Sequence, residues 1–245
     1  MENLYNSQFV KQLFDEMAAT YGWVNLISSF GFCQRWRKQC VRQVTIKPGM
    51  VVFDLMTGMG ECWHLVNYDL RNIGAVVALD LSSAMCRRGG LQRRFLPSLD
   101  LSIVQQDILY NGLAANSADC IISSFGLKTF SLEQQHILAT EVQRLLKPGG
   151  VASFVEISVP PSLLLRLPYL FYLQYCIPLI GKLFLGNPDN YRLLGIYTEK
   201  FGDCSAFATA LAHCGLQVTR CSFFFGCATG IYAVKSREER LGYTE

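Results

Sequence analysis

The chain is predicted to fold as α/β, doubly wound around a mostly parallel sheet, and three observations carry that prediction. Continuous apolar strands alternate with helical stretches, the pattern of strands buried on both faces. The first strand, Val51-Val52-Phe53-Asp54, runs into the glycine turn Met56-Thr57-Gly58-Met59-Gly60-Glu61. A second apolar strand, Val76-Val77-Ala78-Leu79-Asp80, follows and ends in a second acid. A glycine turn lets a ligand approach the backbone closely, and an acid at the next strand tip can accept hydrogen bonds from a ribose diol. Together they mark a nucleoside site.

The elements follow in order. Residues 8–22 read as a helix with Phe9, Leu13, Phe14, Met17 and Tyr21 on one face, and 34–46 as a second helix. Lys47-Pro48-Gly49 ends that helix and leads into the first strand. Strands are expected at 51–54, 76–80, 101–104, 119–124 and 151–157, with helices near 61–71, 83–94 and 132–146 between them. Lys147-Pro148-Gly149-Gly150 turns the chain into the fifth strand. An aromatic insertion at 161–198 interrupts the alternation; a helix at 203–214 and strands at 216–224 and 228–235 then close the fold. The last two strands are near enough in sequence to pair antiparallel, and the charged last ten residues are expected to fray. One seven-stranded domain thus spans 1–245, with 1–47 as an N-terminal helical region and 161–198 as a cap insertion.

The composition is oily: 51% apolar, 17% charged, with a net charge of +3. That charge is too small to argue for nucleic acid, and the low charge content points to an apolar ligand cavity, a membrane surface or a covering partner, a second copy included. The run Arg35, Arg37, Lys38 and Arg42 is either a solvated helix face or a patch for anionic headgroups. Ten cysteines sit singly with no Cys-x-x-Cys, which excludes a zinc ribbon and predicts no disulfide framework or metal site. With a polar start instead of a signal peptide, they indicate a reducing, cytoplasmic compartment. The nearest approach to a membrane span is 163–185, but Pro168, Pro178, Arg166, Gln174 and Lys182 predict two short helices with wide apolar faces.

In a dinucleotide site a third glycine packs the helix on the strand; Trp63 stands there. That favours S-adenosylmethionine, which has no pyrophosphate for a helix N-terminus to hold. Asp107-Ile108 follows the third strand, where the carboxylate can accept from an adenine amino group and the isoleucine can flank the ring; a helix cap is the other reading of Asp107. The fourth strand ends at Ser124, facing the position of the reacting methyl.

Several stretches then add up to a family. Phe14-Asp15-Glu16-Met17-Ala18 with Tyr21 and Asn25, and Gly31-Phe32 with Arg35-Trp36-Arg37, form an N-terminal signature. Ser124-Phe125-Gly126-Leu127, Leu145-Leu146-Lys147-Pro148-Gly149-Gly150 and, in the cap, Ile177-Pro178-Leu179-Ile180-Gly181-Lys182-Leu183 with Tyr191-Arg192-Leu193-Leu194 continue it. Over nearly its whole length the chain resembles the UbiE-type menaquinone/ubiquinone C-methyltransferases. The resemblance implies a Rossmann-like class I methyltransferase fold and a hydrophobic small-molecule acceptor. It places cofactor contacts at Met59, Asp80, Asp107, Ile108 and Ser124, with Gly58 and Gly60 forming the turn and Asp54 and Leu81 beside them. The implied chemistry moves a methyl from a sulfonium to a nucleophilic carbon of a phenol-like ring, so the protein supplies in-line placement and a group that helps remove the ring hydroxyl proton.

The chain departs from the family pattern at four places: Met56 stands for a small residue, Met59 for threonine, Lys128-Thr129 for Arg-Asn, and Gly22 for aspartate. The catalytic candidates are Lys128, Glu156 at the end of the fifth strand, and Tyr191 with Arg192 in the cap. Each has a plainer alternative: Glu156 as a strand-end cap, Tyr191 as packing, Arg192 as a partner of Asp189. The three histidines read as structural or surface residues. The cap aromatics Tyr169, Phe171, Tyr172, Tyr175 and Phe184 pack the cap or wall a prenyl or acyl chain. Beside the quinol methyltransferase stand two alternatives: a specialised-metabolite methyltransferase with a lipid or terpenoid-like acceptor, and a non-catalytic scaffold in a lipid-biosynthetic complex.

Overall fold

A computed structural model describes residues 4–68, 74–184 and 186–237. Seven strands form one sheet: β1 (Val51–Leu55), β2 (Ala75–Asp80), β3 (Leu101–Gln105), β4 (Ala118–Ser124), β5 (Leu146–Ile157), β6 (Leu216–Phe223) and β7 (Ala228–Lys235). Their order is β3-β2-β1-β4-β5-β7-β6, with β7 antiparallel to both its neighbours. The chain winds one way from β1 to β2 and β3 and the other way to β4 and β5, so the sheet reverses between β1 and β4. Asp54 lies level with Ala78 on β2 and Ile122 on β4, which brings three strand tips together at the crevice where such sheets bind ligands.

Ten helices are described: α1 (Ser7–Met17), α2 (Tyr21–Ser28), α3 (Phe32–Gln43), α4 (Trp63–Tyr68), α5 (Ser83–Gln92), α6 (Leu132–Leu145), α7 (Leu163–Phe171), α8 (Ile177–Leu183), α9 (Pro188–Phe201) and α10 (Ser205–His213). α6 and α10 bury Leu138, Val142, Phe207 and Leu211 against one face of the sheet. Val41 and Val44 of the α3 end and Trp63 and Val66 of α4 cover the other. The strands between are apolar on both sides, as a doubly covered parallel sheet requires.

Several expected boundaries shift. The helix expected over 8–22 breaks after Met17 and resumes at Tyr21; the break turns both Tyr21 and Val24 into the interior. The helix expected at 34–46 runs from Phe32 to Gln43. Of the helix expected over 61–71, Trp63–Tyr68 is helical and the end lies outside the described residues. β5 begins at Leu146, five residues before its expected start, and Leu146 pairs with Ala118 before a register shift. The Pro-Gly-Gly turn is thus absorbed into the strand as an irregularity. Finally, the two short cap helices form one helical run, because a π turn at Tyr172–Cys176 joins α7 to α8. Such a wide turn accommodates the missing amide hydrogen of Pro178 without ending the helix. Of the last ten residues, expected to fray, 238–245 lie outside the described residues.

The ten cysteines are all free, six of them buried. They act as small core residues.

Trp63 fills the space under the glycine turn. It is fully buried, its indole N–H donates to Thr57 Oγ1 at 2.9 Å, and a Cβ on Gly60 would run into its ring. Trp63→Ala is expected to lower the unfolding free energy by about 3–5 kcal/mol, and Trp63→Phe by about 1 kcal/mol for the lost hydrogen bond, both read from denaturant unfolding.

Candidate functional site

The turn after β1 is held from both sides. Gly58 and Gly60 adopt φ of 61° and 87°, conformations open to glycine. The Gly58 N–H donates to Asp80 Oδ2 at 2.7 Å, and the Ser82 N–H donates to Asp80 Oδ1 at 2.8 Å. Burial pushes the Asp80 carboxyl up to about 6, against those two hydrogen bonds. Asp54 lies beneath the turn, accepts from the Thr57 hydroxyl, and is raised by burial to about 7.

A cavity opens over these strand tips. Gly58, Asp80, Leu81, Asp107, Ile108 and Ser124 line it, as do Met56, Glu61, Arg37 and Phe130. Of the nine expected cofactor contacts, these first six reach the cavity; Asp54, Met59 and Gly60 lie behind it. Met59 points away into the cluster formed by Leu13, Met17, Tyr21 and Val24. Its methyl reaches Gly22, where a Cβ would lie 3.2 Å from it. Two departures from the family pattern therefore meet in space: the methionine at 59 occupies room that the glycine at 22 leaves.

Asp107 accepts from the Leu109 N–H at 3.0 Å, so it does cap the short turn at Ile108–Tyr110. Its second oxygen accepts from Ser7 at 2.7 Å.

α1 closes the cavity from above. Val10 and Phe14 face in, and Asp15 pins the helix to the start of α5. It accepts from Ser82 Oγ at 2.6 Å, from the Ala84 N–H at 2.8 Å and from Lys11 at 2.6 Å. Burial works to raise the Asp15 carboxyl, but the hydrogen bonds from Lys11, Ser82 and Ala84 hold it down at about 2.

Arg37 is a residue that sequence reading placed on a solvated face, and the structure corrects this. Arg35, Lys38 and Arg42 are exposed, but Arg37 is buried. Its Nη2 lies 3.4 Å from Glu61 Oε1, and its Nε is buried without a partner. Helical spacing explains the error: Cys33, Trp36, Arg37 and Cys40 share the inward face of α3. The signal was in that spacing.

A second, largely apolar cavity of about 310 Å³ lies under the cap. Trp36, Leu165, Tyr169, Leu173, Tyr191 and Phe224 are among its walls. Tyr191 is buried with its hydroxyl 2.7 Å from Thr20 Oγ1. Its ring fits because Gly181 and Gly186 leave space; a Cβ on either would press into it. That contact explains why the cap motif joins Ile177–Leu183 to Tyr191. Arg192, by contrast, lies exposed on the outer side of α9, 5.9 Å from the Tyr175 ring centre, and lines neither cavity. Asp189 also lines neither.

Lys128 borders the apolar cavity, and Glu156 sits behind it. Lys128 Nζ donates to Glu156 Oε1 at 2.7 Å and to the Phe125 carbonyl at 3.1 Å, with both side chains buried. Glu156 also accepts from the Lys128 and Ile157 backbone N–H groups, so its oxygens are engaged within the protein. Phe125 and Tyr21 line both cavities and form the partition between them. Burial raises the Tyr21 hydroxyl well above its ordinary value, and the Glu61 charge adds to this. It therefore stays protonated at neutral pH.

A doubly wound sheet whose glycine turn reaches a strand-end carboxylate, with a partitioned apolar cavity beside it, defines a class I S-adenosylmethionine-dependent methyltransferase. The ubiE/COQ5 methyltransferase family model matches residues 2–235, and the chain belongs to that family. Similar proteins include the ubiquinone/menaquinone biosynthesis C-methyltransferase UbiE of Blochmanniella floridana, 30% identical over 77% of this chain and 74% of that one. The demethylmenaquinone methyltransferase of Desulfitobacterium hafniense is 28% identical over 93% of this chain and 88% of that one. Among solved structures, the geranyl diphosphate C-methyltransferase of Streptomyces coelicolor superposes with a TM-score of 0.57 at 14% identity, covering 82% of this chain and 80% of that one. A Haemonchus contortus phosphoethanolamine N-methyltransferase gives 0.59 at 12% identity; the match covers 83% of this chain but only 53% of that one, about half its length. These structures share the fold.

Asp15→Ala is expected to free α1 from α5. Faster amide hydrogen exchange across 7–17 with unchanged exchange in β1 and β4 is the readout. The contribution of Asp15 to stability is present above the ordinary carboxylate range, about 4, and is lost as pH falls from there through about 2.

Proposed function

We propose that the protein transfers a methyl from S-adenosylmethionine to a ring carbon of a prenylated quinol or related phenol. The observation that carries this reading is the pair of cavities meeting at Phe125 and Tyr21, one tipped with carboxylates and the other apolar and bordered by a buried ammonium. The names of the similar curated proteins, which act on demethylmenaquinone or in ubiquinone/menaquinone biosynthesis, agree with it. The compartment is cytoplasmic, at the membrane that holds such an acceptor.

The residues present fit the cofactor. Asp80 would accept from the ribose hydroxyls; Asp107, on exchanging its Ser7 contact, would accept from the adenine amino group; Ile108 and Leu81 would flank the ring. Arg37 Nε, buried and unpartnered, is a donor for the methionyl carboxylate, and Glu61 an acceptor for the ammonium. When bound, the cofactor supplies an electrophilic methyl on a sulfonium. At the acceptor side, Lys128 has one N–H beyond those given to Glu156 and Phe125. Directed at the oxygen of an acceptor that has given its hydroxyl proton to solvent, it stabilises the phenolate that makes the ring carbon nucleophilic. Glu156 positions that lysine, and Tyr191 shapes the wall. Lysine offers a point charge where arginine offers a planar fork, so Lys128-Thr129 favours a single oxygen anion of the acceptor at this spot.

Transfer from labelled S-adenosylmethionine to a short-chain demethylmenaquinol tests the reading. Saturable cofactor binding without transfer to any quinol or phenol overturns the acceptor class. Lys128→Ala is expected to reduce kcat by about 10²-fold or more with cofactor affinity unchanged. Equal quinol activity in Lys128→Ala, Lys128→Arg and the wild type removes Lys128 from the mechanism.

Calorimetry with S-adenosylhomocysteine tests the cofactor side. Asp80→Asn is expected to weaken binding by about tenfold or more. Because the ionised carboxylate is the better acceptor, wild-type affinity should fall as pH drops through about 6, and Asp80→Asn should lack that dependence.

A further inference from the structure

The apolar cavity opens onto a face that is itself apolar. Along the joined α7–α8 run, Leu164, Leu167, Phe171, Tyr175, Leu179 and Leu183 are exposed at three- and four-residue spacing, Leu164 by 92%. A four-residue step overruns an α-helical turn by about 40°; the wide π turn midway takes part of that back and keeps the stripe on one side. The run Leu163–Leu183 is long and apolar enough to cross a membrane, but Leu173, Pro178 and Gly181 are buried against the protein. It therefore lies on the domain with its outer side bare.

The stripe is continuous with the cavity mouth. Phe30, 81% exposed, stacks on Tyr172 at 6.4 Å, and Phe224 packs on Phe32 at 4.6 Å beside Phe225, 79% exposed. Phe30, Tyr172, Phe32 and Phe224 also line the cavity. The segments that build this face supply basic residues and no acid of their own; one acid reaches it from α9, Glu199, which accepts from Gln174 of the cap run at 2.6 Å. Residues 17–53, 157–188 and 204–237, which contribute α2, α3, the α7–α8 run and the Phe224 turn, contain no aspartate or glutamate. Arg35 and Lys38 on α3 and Arg166 and Lys182 on the cap run are exposed.

We infer that this face docks on an anionic phospholipid surface. The α7–α8 run lies in the interfacial plane, and the cavity mouth opens into the bilayer. An in-plane helix binds through buried apolar area plus attraction of basic residues to anionic headgroups, and both are present here. A protein partner would need acids to match the same basic residues along an apolar stripe; in a second copy the segments that form this face carry none of their own. The inference rests on the hydrophobic acceptor proposed above, which would reach the cavity laterally from the lipid without crossing water.

The test uses the full chain and vesicles of phosphatidylcholine with or without phosphatidylglycerol. The wild type is expected to co-sediment with the anionic vesicles at low salt, and less with the neutral ones or at high salt. Leu164→Glu with Phe225→Glu should lower that binding by about tenfold or more, while Phe95→Glu, an equally exposed aromatic beside α5, leaves it unchanged. The double variant should keep its turnover of a short-chain acceptor in solution and lose turnover of a long-chain acceptor held in vesicles. Absence of co-sedimentation at low salt overturns the inference, as does equal loss in Phe95→Glu. A vesicle-free dimer broken by the double variant, without vesicle binding, assigns the face to a second copy and also overturns it. Co-sedimentation needs no acceptor, so vesicle binding without quinol methylation overturns only the acceptor reading.

Discussion

Much of the site depends on the backbone of one residue. Phe125 follows β4 directly and holds φ at 66°, a left-handed conformation that costs a non-glycine residue about 1–3 kcal/mol. Its N–H is held by the Val155 carbonyl at 2.9 Å on the neighbouring strand, so the sheet fixes the turn. The turn swings the ring across the boundary between the two cavities and aims the carbonyl at Lys128. Arg37 then lies 5.0 Å above that ring on the cofactor side, and Lys128 Nζ 6.0 Å from it. A cation over an aromatic face is attracted by its quadrupole. One strained residue thus separates the two cavities, and a cation beside its ring lines each.

The fold was legible in the sequence because its signals are local. Strands buried on both faces read as apolar runs, and the Lys-Pro-Gly stretches mark the approach to β1 and, taken up into the strand, the start of β5. Topology followed from the alternation. The misreadings came where tertiary packing outweighs local preference. Pro168 and Pro178 argue for a break, yet a π turn and contacts with α9 carry the helix through. The cofactor side was legible to the depth of the strand tips: Asp80, Asp107 and Ser124 reach the cavity because strand ends converge at the switch point. Arg37 was hidden by its basic neighbours, although the spacing of Cys33, Trp36 and Cys40 places it inward. Met59 and Gly60 were legible as turn residues but not as residues behind the cavity wall, because a turn's sequence does not give the direction its side chains take.

The departures from the family pattern become intelligible as contacts. Met59 and Gly22 occupy one volume, so the loss of a carboxylate at 22 and of a hydroxyl at 59 exchanges polar groups for a methyl packed under α2. Met56 similarly adopts a left-handed φ of 54° and leans on Gly126, where a Cβ would meet its sulfur and Cβ. A glycine would hold position 56 with less strain, and the bulk of the methionine is tolerated because the glycine after Phe125 yields room. Both changes leave the turn after β1 in place, while Lys128 lies at the border of the apolar cavity.

The energetics of the Lys128–Glu156 pair decide between two roles for the acid. A buried ion pair gains little over an apolar replacement, but loss of one member leaves an uncompensated charge that costs about 3–5 kcal/mol. A proton acceptor in catalysis must shed its partner, or share it, at each turnover. Glu156 is ill suited to that, since it carries three N–H donors from within the protein and faces no cavity. What it does supply is a carboxylate behind Lys128 that holds the ammonium in place under an apolar roof, with the Phe125 carbonyl pointing it. In the reaction proposed above the acid's contribution is made before any acceptor arrives: a cation held in an apolar cavity is stronger toward a developing phenolate than one in bulk water.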